Sequence, residues 1–201
     1  MRKIVASLAL SADGYIARAD GDVAWLDRPR TAGDYGMADF YRSIDTVLLG
    51  RKTWVTGVKL GRSFFPGKKN YVFSRSAKQP KDAEVELVSE DVAGFARRLK
   101  KQSGKDIWLV GGGSLIASFL DAGQIDELIL HVVPVFIGEG IPLIEPARRE
   151  VPLELLSSYA YADGVTRLHY AIVERSGRRS RGAATSRRRR AAPIARRRSG
   201  L

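Results

Sequence analysis

Three successive glycines stand where a short apolar run passes into a helical pattern. The apolar run covers residues 107–110, and apolar residues at helical spacing begin after Ser114. Between them lie Gly111, Gly112 and Gly113. Glycine lets a ligand approach the backbone closely because no Cβ intervenes, and the first N–H groups of a helix favour phosphate. The pattern therefore predicts a phosphate or pyrophosphate site, and the alternative is a tight connection between strand and helix.

Two further segments that could bind phosphate follow predicted strands. The segment Gly50-Arg51-Lys52-Thr53 opens a helix and offers two cations, a hydroxyl group and helix N–H groups. The segment Ser74-Arg75-Ser76 offers an arginine, which can make forked, charge-assisted contacts with phosphate. Each segment alone is explained equally well by surface charge or a helix cap. Three such segments after three strands predict an extended ligand with several phosphates, such as a dinucleotide.

The elements that must position these segments alternate between strand and helix over most of the chain. Short β-prone runs predict strands at residues 3–10, 46–49, 71–73, 85–88, 107–110, 127–135, 153–161 and 165–173. Helical spacing predicts helices at residues 34–43 and 90–101 and after residues 50 and 113. The last three strands are not separated by helices, and Asp163–Gly164 is a strong hairpin signal. The pattern predicts a mixed α/β sheet, parallel where helices cross over and antiparallel at the C-terminal end.

The composition excludes several kinds of site. The chain has 201 residues, 44% of them hydrophobic and none of them cysteine, so disulfides, thiolate metal sites and cysteine nucleophiles are excluded. No apolar run approaches the ~20 residues of a membrane-spanning helix, and we expect a cytoplasmic protein without a membrane span. Arg2, Lys3 and the apolar residues after them could form a secretory signal, but they fit a buried strand equally well. With His131 and His169 as the two histidines, we expect no metal site and interpret His131 as a core or pocket residue.

The basic residues are concentrated at the C-terminus. The formal charge is +12, and residues 175–201 hold 11 arginines and no acidic residue. The rest of the chain keeps 23 of the 34 basic residues and all 22 acidic residues, so it is almost neutral. Arginine clusters without apolar periodicity predict a disordered tail at 175–201 after a folded domain at 1–174. Such a tail could contact nucleic acid non-specifically, or act as a solubilising extension without a partner.

Five segments of the chain carry a family resemblance. They are SADGYIA (11–17), LLGRKTW (48–54), FSRS (73–76), VGGGSL (110–115) and DELILHVVPVFIGEGIPLI (126–144). The sequence resembles the dihydrofolate reductase superfamily, nearest to its branch that contains the reductase domain of riboflavin biosynthesis. The resemblance covers residues 2–174 and implies a dihydrofolate reductase-like three-layer α/β fold. Its sheet is expected to be mixed and mostly parallel, with about eight strands and an antiparallel C-terminal end.

The resemblance implies NADPH as the hydride donor, and it implies a homodimer. Ser74 and Arg75 would hold the adenosine 2′-phosphate, which favours NADPH over NADH. The pyrophosphate region falls to residues 50–53 and 111–116, and the nicotinamide edge to residues within 9–16. The cofactor-binding residues implied in this way are Ala9, Leu10, Gly14, Ile16, Gly50, Arg51, Lys52, Thr53, Ser74, Arg75, Gly111, Gly112, Gly113, Ser114, Leu115 and Ile116.

The catalytic acid is assigned by its separation along the chain. Folate-reducing members carry one carboxylate on the helix before the GRxTW-like segment, and Asp34 lies at the matching separation from Gly50. Such a carboxylate could hold a pyrimidine-like ring and give a proton to the reduced centre, and the alternative for Asp34 is a helix N-cap. Asp13 is the second catalytic candidate, and its alternative is turn chemistry with Gly14. Trp25 is expected to cover the substrate pocket or to be a core residue.

These assignments predict an NADPH-dependent oxidoreductase that acts on a small heterocyclic substrate. The ribosylaminopyrimidine of riboflavin biosynthesis is one expected substrate, and a pterin is the other. A phosphate on the substrate would need a basic contact such as Arg62, Lys68 or Lys69. The zinc deaminase that often accompanies this reductase needs H-x-E and P-C-x-x-C motifs, which this chain lacks. A nucleotide-binding protein without catalysis is a further alternative.

Overall fold

A mixed β-sheet between helices forms the centre of the protein, as seen in a computed structural model that describes residues 1–28, 33–61, 65–75 and 85–173. The strands are β1 (Ile4–Ser11), β2 (Tyr15–Ala17), β3 (Ile44–Gly50), β4 (Lys69–Phe73), β5 (Val85–Val88), β6 (Asp106–Gly111), β7 (Glu127–Val133), β8 (Ile141–Pro142), β9 (Leu153–Ala160) and β10 (Thr166–Ile172). The helices are α1 (Met37–Ser43), α2 (Arg51–Lys59), α3 (Val92–Lys101) and α4 (Gly113–Asp121), with a 3-10 turn at Ala24–Leu26. The predicted tail at 175–201, and with it the contact with nucleic acid, lies outside the described residues.

The main sheet combines a parallel part with an antiparallel end. Its strand order in the described residues is β5-β4-β3-β6-β1-β7-β10-β9. Every neighbouring pair from β5 to β7 is parallel. β10 runs antiparallel to both β7 and β9. The prediction of a mostly parallel sheet with an antiparallel C-terminal end is therefore confirmed.

Helices cover both faces of the sheet because its buried strands carry apolar side chains on both sides. α3 and α4 pack on one face, where Leu109 and Phe119 are fully buried. α1 packs on the opposite face, which we call the α1 face. There the ring of Phe40 meets the ring of Trp108 edge to face, with the centroids 5.4 Å apart. The result is the three-layer α/β architecture that the resemblance implies.

The first helix begins later than its sequence pattern predicts. Helical spacing predicts a start at Asp34, but α1 begins at Met37. Tyr35 and Gly36 have left-handed backbone conformations, with φ of 57° and 78°. The Asp34 carboxylate accepts hydrogen bonds from the N–H groups of Gly36 and Ala38, at 3.0 and 2.8 Å. Asp34 therefore lies in a turn that caps the helix, and two left-handed residues separate it from the helix itself.

A second, two-stranded sheet joins parts of the chain that are distant in sequence. β2 pairs antiparallel with β8, and the N–H of Leu143 donates to the carbonyl of Gly14 at 3.1 Å. A Cβ at Gly140 would lie 2.2 Å from the carbonyl oxygen of Ala17, so this position requires glycine. The sequence did not predict this sheet, because strands of three and two residues are too short to show a periodic pattern.

The last strand of the main sheet has little cover. All eight residues of β9 are exposed, and one of them, Glu154, is charged. Leu155 and Tyr159 are 54% and 60% exposed. An apolar strand at the edge of a sheet is a surface that favours association with another chain.

Candidate functional site

The C-terminal ends of three neighbouring strands carry the segments predicted to bind phosphate. β4, β3 and β6 are adjacent and parallel, so the segments after them lie along the same edge of the sheet. Two of the segments are in contact, because a Cβ at Gly50 would lie 3.4 Å from the carbonyl oxygen of Gly111 and 3.5 Å from the nitrogen of Gly112. In an open α/β sheet this edge is where ligands bind.

Arg51 and Ser74 join the other pair of segments. Nη1 of Arg51 lies 3.4 Å from Oγ of Ser74, a long hydrogen bond. Ser74 is buried, and its N–H donates to the carbonyl of Val88 at 2.9 Å. The side chains of Arg51, Lys52 and Arg75 are exposed. The structure therefore places three cations and a fixed hydroxyl group on one stretch of the edge, which is a suitable set of partners for a phosphate.

Thr53, Gly112 and Ile16 meet at the centre of the edge. A Cβ at Gly112 would lie 3.3 Å from Oγ1 of Thr53 and 3.8 Å from Cδ1 of Ile16. The peptide bond between Gly111 and Gly112 is cis. Residues of α2, β2 and the connection between β6 and α4 thus surround a gap no larger than a methyl group, where Gly112 leaves its backbone bare.

Two of the three glycines have structural reasons that do not involve a ligand. Gly111 has φ of 115°, a conformation that favours glycine. A Cβ at Gly113 would lie 2.5 Å from the carbonyl oxygen of Pro142 in β8. The tight-connection alternative therefore explains Gly111 and Gly113, whereas Gly112 faces Thr53 and Ile16 across the space just described.

The N-terminus of α4 adds backbone donors to this edge. The N–H groups of Leu115 and Ile116 donate to the carbonyl of Gly112 at 2.9 and 3.0 Å. The side chains of these two residues are buried in the core, at 9% and 0% exposure. The N–H groups of Gly113 and Ser114 precede the first intrahelical bond, so they can donate to an anion. In this structure Leu115 and Ile116 shape the turn, and Gly113 and Ser114 present its donors.

The end of β1 approaches the same region. Ala9 packs on the α1 face near Trp25, whereas Leu10 is buried on the opposite face. Gly14 forms a turn with φ of 90°, and its N–H donates to the carbonyl of Ser11 at 2.9 Å. The backbone of Ala9 and Leu10 thus reaches this edge, while their side chains lie on opposite faces of the sheet.

Asp13 is engaged by the loop that follows β7. Its carboxylate accepts hydrogen bonds from Oγ of Ser11 at 2.5 Å and from the N–H groups of Ile137 and Gly138 at 3.1 and 2.8 Å. The bond from Ser11 and then the backbone bonds lower the pKa of Asp13. The geometry favours a role for Asp13 in holding the turn at Gly14, because an ionised carboxylate has no proton to give at neutral pH.

Asp34 is similarly engaged by backbone. The N–H of Ala38, and then that of Gly36, lower the pKa of the Asp34 carboxyl. The helix N-cap alternative therefore describes its contacts in the free protein. Each carboxylate oxygen still has a second lone pair, so Asp34 can also accept hydrogen bonds from a ligand.

Trp25 lies in a buried cluster beside the Asp34 turn. It is 9% exposed and packs with Val133 and Val165, and its Nε1 has no hydrogen-bond partner among the described residues. Tyr35 joins the same cluster, and Nε2 of His131 lies 3.1 Å from its carbonyl oxygen. Burial lowers the pKa of His131. No local sequence pattern marks Tyr35, because its contacts come from residues distant in sequence.

The sequence of the domain that carries this site matches a known family. The family model for the RibD C-terminal domain matches residues 2–167. The chain belongs to this family. The resemblance inferred from the five sequence segments is therefore confirmed.

Two relatives of this RibD C-terminal domain come from Bacillus subtilis (strain 168). The uncharacterized protein YwjB is 40% identical over 171 residues, which are 84% of this chain and 97% of YwjB. The uncharacterized protein YyaP is 34% identical over 181 residues, which are 84% of this chain and 94% of YyaP. The similarity to both therefore extends over almost the whole length of each relative.

Solved structures share the fold at low sequence identity. A protein from Shewanella sp. PV-4, provisionally named as a riboflavin biosynthesis protein, has a TM-score of 0.77 and 24% identity and covers 86% of this chain and 99% of its own. The deaminase/reductase from Thermotoga maritima has a TM-score of 0.65 and 17% identity over 86% of this chain and 57% of its own. Dihydrofolate reductase from Enterococcus faecalis, complexed with NADP(H), has a TM-score of 0.62 and 16% identity, and the match covers 86% of this chain and 97% of the reductase. At these identities the likeness shows the fold.

Two of the basic residues expected at a substrate phosphate, Lys68 and Lys69, are not at this edge of the RibD C-terminal domain. Nζ of Lys68 donates to the carbonyls of Tyr41 and Ile44, both at 2.7 Å, and lies over the Tyr41 ring. Lys69 is the first residue of β4, at the opposite edge of the sheet from Ser74. Arg62 lies outside the described residues. Lys68 therefore secures the end of α1, and Lys69 is a strand-length away from the candidate site.

Two further kinds of feature are absent from the described residues of this family member. No group of three or more His, Asp or Glu side chains there has a geometry that could hold a metal ion. No helix in the same part of the chain has the length and apolar content for a membrane crossing.

Proposed function

We propose that this RibD C-terminal domain is an NADPH-dependent reductase of a small heterocyclic substrate. The observation that carries the proposal is that three phosphate-compatible segments meet at one edge of the sheet. Arg51 lies 3.4 Å from Ser74, and Gly50 packs against Gly111. A dinucleotide has phosphate groups at its middle and its adenosine end, so one molecule can reach all three segments. The structural neighbours that are named as a reductase and a dihydrofolate reductase support an oxidoreductase.

The central part of the edge is suited to the pyrophosphate. Gly112 leaves a space between Thr53 and Ile16 that a Cβ would fill. Gly113 and Ser114 contribute the N–H groups at the N-terminus of α4, where the helix dipole favours an anion. The proposed cofactor would supply hydride from its reduced nicotinamide when bound.

The outer part of the edge is suited to the adenosine 2′-phosphate. Ser74 is held by its backbone, whereas the guanidinium groups of Arg51 and Arg75 can move toward a ligand. Lys52 adds a fourth polar group nearby. A phosphate held by these cations distinguishes NADPH from NADH, since NADH has a hydroxyl group at this position. At the other end of the cofactor, backbone near Ala9 would edge the nicotinamide.

We assign the orientation of the substrate to Asp34. Its contacts with Gly36 and Ala38 keep the carboxylate ionised and fix its direction. An ionised carboxylate accepts paired N–H donors of a pyrimidine-like ring, which places the ring against the nicotinamide. Trp25 would cover the ring, and its unpaired Nε1 can donate to a carbonyl of the substrate. Because the ionised Asp34 has no proton of its own to give, the proton that completes the reduction comes from solvent while Asp34 holds the ring in place.

The ribosylaminopyrimidine of riboflavin biosynthesis is the substrate that we favour, because the chain belongs to the RibD C-terminal domain family and the Thermotoga maritima neighbour is named as a 5-amino-6-(5-phosphoribosylamino)uracil reductase. A pterin remains the alternative, because a pterin also presents paired N–H donors. The two candidate substrates differ in that the ribosylaminopyrimidine carries a phosphate group and the pterin does not. Lys68 is occupied and Lys69 is at the far edge, so a phosphorylated substrate would depend on other cations. A turnover screen of both substrate classes, followed by NADPH absorbance, tests this part of the proposal.

Cofactor binding is tested by titration of the protein with NADPH and NADH, followed by tryptophan fluorescence and thermal shift. We expect NADPH to bind more tightly than NADH. Arg75→Ala should remove most of that preference, because a charge-assisted bond to phosphate contributes about 1.5–3 kcal/mol, a tenfold to hundredfold change in Kd.

Lys69→Ala is the matched control for Arg75→Ala. Both residues are exposed cations on or beside β4, but Lys69 is at the opposite end of the strand. Its removal changes the net charge equally and should leave the NADPH affinity unchanged. Failure of both nucleotides to bind would contradict the reductase proposal, and an equal loss in both variants would contradict the assignment of Arg75.

We also propose that the protein is a cytoplasmic homodimer that associates through β9. Its exposed apolar side chains are the basis of this proposal. Light scattering after size exclusion should show a dimer for the wild type and a monomer for Leu155→Glu. Leu60→Glu is the control, because Leu60 is equally exposed at 58% but follows α2. A monomeric wild type at tens of micromolar concentration would contradict this part of the proposal.

A further inference from the structure

We propose that His131 is a positioning residue that fixes the turn carrying Asp34. The proposal rests on the proposed function in one respect, since it is the role of Asp34 that gives the turn its importance. The basis is the contact between Nε2 of His131 and the carbonyl oxygen of Tyr35, which are 3.1 Å apart. Tyr35 is the residue that follows Asp34 in the chain.

The sheet places His131 beside the candidate site. His131 is in β7, opposite Ala9 of β1 on one side and Arg167 of β10 on the other. Its ring lies on the α1 face, because Ala9 and Val133 belong to the cluster on that face and side chains alternate along a strand. It is 8% exposed. A rigid central strand therefore holds the imidazole next to the residues expected at the nicotinamide.

The chemistry of the contact fixes the tautomer of the ring. A carbonyl oxygen only accepts hydrogen bonds, so Nε2 of His131 must carry the hydrogen and donate it to Tyr35. Nδ1 is then an acceptor while the ring is neutral. Burial, with a smaller effect of the charge on Arg167, lowers the pKa of His131, so the neutral form prevails at neutral pH. Protonation at Nδ1 would not remove the donor on Nε2, so the bond to Tyr35 persists in both charge states.

The Asp34 turn needs such an external contact. Tyr35 is a non-glycine residue with φ of 57°, a conformation that costs an ordinary side chain about 1–3 kcal/mol. Other residues hold its side chain: the hydroxyl donates to Asp163, and the ring meets that of Tyr161 edge to face at 5.0 Å. His131 bonds the Tyr35 carbonyl, which belongs to the peptide unit leading into Gly36. The bond therefore fixes the backbone whose N–H groups orient the Asp34 carboxylate.

Hydrogen exchange of the Gly36 and Ala38 amides tests this role, since both amides donate to Asp34. Three variants of His131 separate the bond from the bulk of the ring. His131→Gln places an amide donor near the position of Nε2, His131→Asn is too short to reach Tyr35, and His131→Leu has no donor. We expect exchange of both amides to quicken about fivefold to tenfold in the Asn and Leu variants, the effect of losing one hydrogen bond.

The Gln variant gives the deciding result. A positioning role requires exchange within about twofold of wild type in His131→Gln, because the donor is restored. Equal exchange in all three variants and wild type would overturn the proposal, as would a Gln variant as fast as His131→Leu. If the Leu variant fails to fold in circular dichroism, the comparison of Gln with Asn decides alone. A ¹⁵N spectrum of wild type showing the hydrogen on Nδ1 would also overturn it.

NADPH titration of the same variants keeps this test separate from the proposed function. The positioning proposal predicts rapid exchange at the turn with NADPH affinity within about twofold of wild type, since the hydrogen bond of His131 goes to Tyr35 and not to a segment proposed to bind phosphate. If the wild type itself binds no NADPH, the reductase proposal fails while the exchange result still decides the role of His131.

Discussion

Replacing Gly113 with alanine should reduce stability more than it affects the ligand space. The new Cβ would lie 2.5 Å from the carbonyl oxygen of Pro142 and 3.4 Å from that of Leu143. Both are backbone atoms, so β8 or the start of α4 must move. Overpacking of this kind costs roughly 1–3 kcal/mol. For a domain of this size each kcal/mol lowers Tm by about 2–4 °C, so we expect a decrease of roughly 2–12 °C.

Gly112→Ala is the matched variant one residue earlier. Its Cβ would meet Oγ1 of Thr53 at 3.3 Å, and that side chain can rotate away, so the stability loss should stay below about 1 kcal/mol. The methyl group would occupy the space assigned to the pyrophosphate, and the Kd for NADPH should rise at least about tenfold, or 1.4 kcal/mol. Differential scanning fluorimetry and fluorescence titration measure the two quantities. An unchanged Tm in Gly113→Ala, or an unchanged Kd in Gly112→Ala, would refute the separation of packing and ligand roles.

Three further variants test packing and electrostatics elsewhere in the domain. Asp13→Asn should lower the stability of the protein more at pH 7 than at about pH 3. Hydrogen bonds from Ser11 and then from Gly138 lower the pKa of Asp13, and the stabilisation by the ionised carboxylate is lost as pH falls through that pKa. The Tm of variant and wild type at both pH values measures this difference, and an equal loss at both would contradict a stabilising role of the ionised carboxylate. Arg2→Met should lower the free energy of unfolding in urea by roughly 2 kcal/mol or more, because Arg2 is 6% exposed and donates to Asp45 and Thr46. An unchanged free energy of unfolding would mean that the interactions of Arg2 do no more than offset the cost of removing its charge from water. Phe119→Ala should cost roughly 3–5 kcal/mol in the same assay, because Phe119 is fully buried, and a smaller loss would show that the core collapses around it.

The sequence predicted the arrangement of the strand ends because that arrangement follows from local patterns. Short apolar runs that alternate with helices force parallel pairing, so Gly50, Ser74 and Gly111 had to reach a common edge. The antiparallel C-terminal end was predicted on the same basis, whereas the order of the strands was not predicted. The triple glycine was less informative than it first appeared, because Gly111 and Gly113 are also required by backbone conformation and by Pro142.

The sequence could not predict contacts made between distant parts of the chain. Helical spacing placed Asp34 inside a helix, but the left-handed conformation of Tyr35 keeps it in a turn. The contacts that Tyr35 makes there come from His131 and Asp163, about a hundred residues and more away. The role of Lys68 was also missed, because two backbone carbonyls at the end of a helix have no signal in the sequence.

The second sheet has a consequence for how the protein acquires its ligand. The turn at Gly14, the start of α4 at Gly113 and the strand at Pro142 come together from the beginning, middle and later part of the chain. No shorter folding unit contains all three, so a nascent or partly unfolded chain lacks the complete edge that we propose binds nucleotide. Bound nucleotide should consequently protect the whole domain against proteolysis, from residue 4 to residue 172. A resin that carries the cofactor should retain completely folded molecules and not partly folded ones.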